Sequence, residues 1–160
     1  MAKESKTNAM RMLDRAKVSY EQFSYDTSDG HIDGISIAQK LNQNPDEVYK
    51  TLVTKGHSGN HFVFVIPVEK ELDLKKAAKS VNEKNVEMIA VKDLLATTGY
   101  IRGGCSPVGM KKQFKTVIDA SAEALPKMYV SGGRIGLQIH LSPIDLKNAV
   151  NAEFCPIVHE

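Results

Sequence analysis

Residues 61–68, reading HFVFVIPV, limit the fold more than any other stretch of the chain. They are nearly all apolar, rich in β-branched and aromatic types, and far too short to cross a bilayer, so they read as a buried strand. The preceding His57-Ser-Gly-Asn60 is a turn signal, and residues 48–54 before it are rich in β-formers. The pair predicts a hairpin. Along the rest of the chain, short helical and strand patterns alternate without a regular βαβ rhythm and without a GxGxxG loop. These absences argue against a dinucleotide-binding fold, and a mixed α/β or α+β domain is expected.

The helical patterns begin after a frayed tail at 1–6. Thr7 is placed to cap a helix whose inner face is Ala9, Met12, Leu13 and Ala16. Ser36 and Gln39 match a capping box that opens a second, with Ala38 and Leu41 inward. Asn44-Pro45 starts a brief turn; Leu74, Ala77, Ala78 and Val81 form a third face, and Val91, Leu94 and Leu95 a fourth that ends near Gly99. Ser142-Pro143 caps the last. Strands are predicted at 20–25, 86–89, 116–119, 127–130, 135–141 and 154–158, with a polar loop at 26–34.

With 160 residues, 42% hydrophobic and 25% charged, the chain suits one globular domain with its own core. A net charge of +2 leaves nucleic-acid binding to local patches. No apolar run approaches a membrane span, and the start lacks the apolar core of a signal peptide. Cys105 and Cys155 have no CxxC or Cys/His spacing, so neither a metal nor a cofactor is expected. The reading is a reduced, cytoplasmic protein with no membrane and no DNA among its partners.

Chemistry concentrates in residues 99–112, GYIRGGCSPVGMKK. Glycines let a ligand approach the backbone closely, and N–H groups left free in such a loop can hold an oxyanion or phosphate. Cys105 lies in this loop, but no histidine is tied to it by a motif, and a small buried cysteine is the better reading. Ser106 lacks the GxSxG elbow of a nucleophile. Lys50 shares a strand face with Val48 and Leu52; either that face lines a polar cleft, or the opposite face of Tyr49, Thr51 and Val53 is the core. The pattern leaves both open. The trios Lys75, Lys76, Lys79 and Lys111, Lys112, Lys115 suit phosphates or a solvated face alike. Gly132-Gly133-Arg134 reads equally as a ligand loop or a hairpin turn.

Several blocks in order, KTNAMRML near the start, VYKTLV at 48–53, LDLKKAAKS at 72–80, GYIRGGCSPVG at 99–109 and YVSGGRIGLQI at 129–139, resemble the YbaK family of freestanding aminoacyl-tRNA deacylases. The resemblance runs from about Thr7 to the end. It implies one domain, 7–160, with a strongly curved, barrel-like sheet flanked by short helices, and hydrolysis of the ester in mischarged Cys-tRNA(Pro). A pocket discriminates near-isosteres poorly, so a separate editing step is physically expected. It also implies Lys50, Gly103 and Gly104 as the catalytic set, with Tyr25, Thr51, Ser106, Pro107, Gly132 and Gly133 binding substrate. Lys75, Lys76, Lys79, Lys111 and Lys112 are the candidates for tRNA phosphates. The aminoacyl-tRNA acceptor end is the partner, with prolyl-tRNA synthetase a second. The resemblance implies that the attacking group is the substrate's own thiol. The alternatives are a deacylase for Ala-tRNA(Pro) or another small aminoacyl-tRNA, and a non-catalytic tRNA- or synthetase-binding module. Two positions depart from the family: Cys105, where relatives are usually aliphatic, and Gln138, where some carry an acid.

Overall fold

A computed structural model describes residues 6–159; apart from Lys6, which pairs with Asp14, the tail expected at 1–6 lies outside the described residues. The strands are β1 (Glu21–Ser24), β2 (Tyr49–Gly56), β3 (His61–Pro67), β4 (Val86–Met88), β5 (Lys115–Asp119), β6 (Met128–Ser131), β7 (Leu137–Leu141) and β8 (Glu153–Cys155). The helices are α1 (Asn8–Arg15), α2 (Gly34–Lys40), α3 (Leu74–Ser80), α4 (Val91–Thr98) and α5 (Pro143–Val150). No described helix is long and apolar enough to cross a membrane.

The predicted hairpin is the centre of a five-stranded mixed sheet, ordered β4-β2-β3-β5-β8. β3 alternates between two cores, which is why its sequence shows no polar face. Phe64 and Ile66 pack with Ala77 and Ala78 of α3, while Val65 faces α1, α5 and the second sheet. Both β3–β5 and β5–β8 are parallel, so the return from β3 carries α3, β4, α4 and the glycine-rich segment over to β5. This crossover sets that segment beside β2.

The second sheet is three-stranded and antiparallel, β1-β7-β6. The single barrel-like sheet expected from sequence is thus corrected to two. Among the described residues one backbone bridge, Val48 to Tyr129, joins their strands, and the shared core packs them together. Closure would need β6 to pair along the edge of β2, and a cavity occupies that edge.

Local details follow side-chain chemistry. Thr7 caps α1 by accepting the Met10 N–H, as its sequence predicts. α2 starts before the predicted capping box, because Asp33 accepts both the Ser36 N–H at 3.1 Å and its hydroxyl at 2.6 Å. A carboxylate three residues upstream is the better N-cap acceptor. Ala16 and Leu74, expected inward, are exposed, since Met10 takes the inner face of α1 and Ala77 and Ala78 fill that of α3.

Candidate active site

β4 covers β2 only at Thr54, Lys55 and Gly56, so the earlier half of that edge has no β4 partner. A cavity of about 800 Å³ opens there. Residues 48–52 form one wall, and because the cavity curls around a strand edge, side chains from both faces of β2 reach it. Other walls come from Tyr25 and the loop before α2, from Arg102, Gly103 and Cys105, and from Ser131 and Gln138.

The two alternatives for Lys50 are both met in part: Tyr49 and Val53 are core, while Lys50 and Leu52 line the cavity. Lys50 is half-buried and makes no hydrogen bond or ion pair among the described residues. Desolvation lowers its pKa, with the more distant Glu71 carboxylate working against that shift. An anion brought into the cavity would offset that desolvation. Beside Lys50, the Thr51 hydroxyl is buried without a partner among the described residues.

The glycine segment meets β2 through constrained geometry. Gly103 has φ +87°, and a Cβ there would lie 2.6 Å from Ile32 Cδ1. At Gly104 a Cβ would lie 2.8 Å from the Ile135 nitrogen and 3.0 Å from the Arg134 carbonyl carbon. The two glycine turns of the sequence are therefore packed backbone to backbone. The Gly104 N–H closes its own turn onto Ile101 O at 2.9 Å, so it is not a free donor. The N–H groups of Gly103, Cys105 and Ser106 have no partner among the described residues. Backbone donors in and beside a cavity wall need a ligand or water to complete them.

Cys105 lines the cavity, yet burial pushes its thiol up to about 11, with a smaller opposing effect from its hydrogen bond to Thr98. It is a neutral wall group at physiological pH. Because the folded value exceeds the ordinary value of 9.0, its contribution to stability is complete below pH 9 and disappears as pH rises through about 11. Cys105→Ala is expected to keep whatever turnover this cavity supports within about threefold, and to remove that part of the alkaline loss of Tm which the wild type shows over this window. Thermal melts from pH 8 to 11 check the second point. A variant with no turnover would reinstate an enzyme thiol.

Tyr25 and Thr51 line the cavity with Lys50 and Gly103. Ser106 and Pro107 are buried behind it, and Ser106 Oγ accepts the Val108 N–H at 3.2 Å. Gly132 and Gly133 form the supporting turn: Gly132 N–H donates to Leu137 O, its carbonyl accepts from Thr7 Oγ1, and Gly133 N–H donates to Ser131 Oγ. None of the five candidate phosphate lysines lines the cavity. Lys75 and Lys79 border a separate groove along α3; Lys76 Nζ donates to Val158 O at 3.0 Å. Lys111 Nζ lies 3.5 Å from Ala96 O, and Lys112 is exposed. Besides Lys50, Arg102 also reaches the cavity, and sequence reasoning passed over it although it stands inside the glycine motif. Gln138 sits in the wall in a reciprocal amide pair with Gln43, at 2.7 and 3.0 Å. Among the described residues no cluster of His, Cys, Asp or Glu is arranged for a metal.

The family model of the aminoacyl-tRNA editing domain matches residues 35–149. A protein of Enterococcus faecalis named as a Cys-tRNA(Pro)/Cys-tRNA(Cys) deacylase, EbsC, is 46% identical over 154 residues, covering 96% of this chain and 94% of its own. Among solved structures, the hypothetical protein APE2540 superposes with a TM-score of 0.87 at 21% identity, covering 95% of this chain and 99% of its own. A structure described as a trans-editing enzyme for prolyl-tRNA synthetase gives 0.81 at 19%, covering 98% and 100%. These two share the fold.

Proposed function

The chain belongs to the aminoacyl-tRNA editing domain family, and from that membership we propose that it is a deacylase acting in trans on Cys-tRNA(Pro), and on Cys-tRNA(Cys). The observation that carries the reading is Lys50, a half-buried ammonium with no partner among the described residues, in the same cavity as Gly103. At about 800 Å³ the cavity is of the size that holds drug-sized ligands, the class to which a cysteinyl nucleoside belongs.

In this reading the 3′-terminal adenosine and its aminoacyl group enter beside β2. Lys50 holds the phosphate or the ester carbonyl, a task suited to a compact point charge. The unpartnered N–H groups of Gly103, Cys105 and Ser106 receive the carbonyl oxygen as it becomes an oxyanion; one such donor lowers the barrier by about 2.7–4 kcal/mol. Gly104 supplies close packing in place of a donor. Tyr25 and Thr51 bound the aminoacyl group. Ser106, Pro107, Gly132 and Gly133 shape the wall from behind.

The substrate's thiolate attacks its own ester carbon. A carbon–sulfur bond forms, the bond to the ribose oxygen breaks, and the thiol proton ends on that oxygen; water then opens the thiolactone. A free thiol titrates near 8.5, so a usable fraction is ionised at neutral pH, and intramolecular attack gains many orders of effective concentration. Neutral Cys105 leaves this step to the substrate. Selection of the tRNA falls to contacts beyond the aminoacyl end, and a complex with prolyl-tRNA synthetase is part of the proposal.

Deacylation of tRNA(Pro) charged in turn with cysteine, alanine and proline tests the reading. Cysteine is expected to be released and proline retained. Preferential release of alanine would move the substrate to another small aminoacyl group. No release from any would leave a tRNA- or synthetase-binding module.

A further inference from the structure

We propose that Lys40 is a positioning residue for this deacylase, latching the 26–33 loop so that it forms a fixed cavity wall and, through Ile32, holds Gly103. Lys40 closes α2, and its Nζ donates to Asp26 O at 2.7 Å, Asp29 Oδ1 at 2.8 Å and His31 O at 2.7 Å. All three ammonium protons are spent on one loop. Charge-assisted bonds of this kind are the strong ones, and the lysine side chain is 19% exposed, well shielded for a surface ion pair.

The loop has little else to hold it. Its other hydrogen bonds among the described residues are local: Asp26 accepts from the Ser28 N–H and hydroxyl, Asp29 from the His31 N–H, Thr27 O from the Gly30 N–H, and Asp33 from the start of α2. α2 itself is anchored, since Ala38 is buried against Val48 and Val68. A continuous path therefore runs from the two ends of the β2–β3 hairpin, at Val48 and Val68, through Ala38 and Lys40 to the loop. From there Ile32 reaches Gly103, whose missing Cβ leaves room for Ile32 Cδ1. Residues 30–33 of this loop line the cavity. Freeing the loop withdraws one wall and loosens the packing against Gly103.

The proposal rests on the deacylase reading, and its test separates the two. Lys40→Met keeps the aliphatic stem and removes the three bonds. With cysteinyl-tRNA(Pro), KM is expected to rise about tenfold and kcat to fall only about two- to fivefold, as misplaced walls predict. Hydrogen exchange should show protection lost across 26–33 and kept in β2 and β3, with Tm nearly unchanged. Asp29→Asn, which removes only the ionic member, is expected to give a smaller change in the same direction and serves if the methionine variant folds poorly. Unchanged exchange in the loop would overturn the latch. Loosened exchange with unchanged KM and kcat would overturn the positioning role. An inactive wild type would overturn the deacylase reading and any role in turnover, while exchange alone still decides the latch.

Discussion

Lys50→Ala is expected to lower kcat/KM for Cys-tRNA(Pro) by about 100- to 1,000-fold, the range lost when a preorganised charge or donor is removed from a developing oxyanion. The same substitution should leave Tm unchanged or slightly raised. The ammonium has no hydrogen-bonding partner among the described residues to strand, and desolvation disfavours its charged form. A lysine whose folded pKa is depressed costs stability below its unfolded value, so deleting it relieves a cost. Thermal melts beside single-turnover rates separate the two effects. A loss of activity tracking a loss of Tm would make Lys50 a structural residue, and retained activity would remove it from the mechanism.

Gly104→Ala is the second large effect, and it arises from sterics. The new Cβ would meet Ile135 N at 2.8 Å, Arg134 C at 3.0 Å and Arg134 Cα at 3.1 Å. These are backbone atoms, which cannot rotate aside, so the two glycine turns must separate. Overpacking of this kind costs about 1–3 kcal/mol, or roughly 2–12 °C in Tm for a chain of this size. Because Gly103 and Cys105 flank the displaced residue, deacylation should fall by about 10- to 100-fold, as a misplacement near 1 Å predicts. Gly30→Ala is the contrast: φ there is +77°, but nothing lies within 4 Å of a Cβ. It carries only the left-handed strain, about 1–2 kcal/mol. Equal effects at the two glycines would contradict the packing argument.

The hairpin at 48–68 was legible because its signals are local: an apolar run, a turn and a β-rich partner. The Lys50 and glycine blocks were legible as motifs. Which face of β2 holds the site was not, because the answer depends on where β4 stops pairing, a long-range fact with no periodic trace. The two sheets were misread as one for a related reason, since the gap between β2 and β6 is set by the cavity. Within the glycine loop, composition announced free donors but could not tell that Gly104 spends its N–H on Ile101. Lys40 left no signal at all. Two of its three partners are backbone carbonyls, and its helix was placed too late in the sequence, at Ser36 in place of Gly34.

In the proposed mechanism this cavity cleaves the aminoacyl bond with no attacking atom from the protein. The most direct test is the single-turnover rate of the wild-type protein on tRNA(Pro) carrying cysteine against the same tRNA carrying serine, which keeps the shape and exchanges the thiol for a hydroxyl. The account predicts that serine is released at least about 100-fold more slowly, since a hydroxyl supplies almost no anion at neutral pH while the effective concentration of the group is unchanged. Equal rates would contradict it and make water, activated by the protein, the nucleophile.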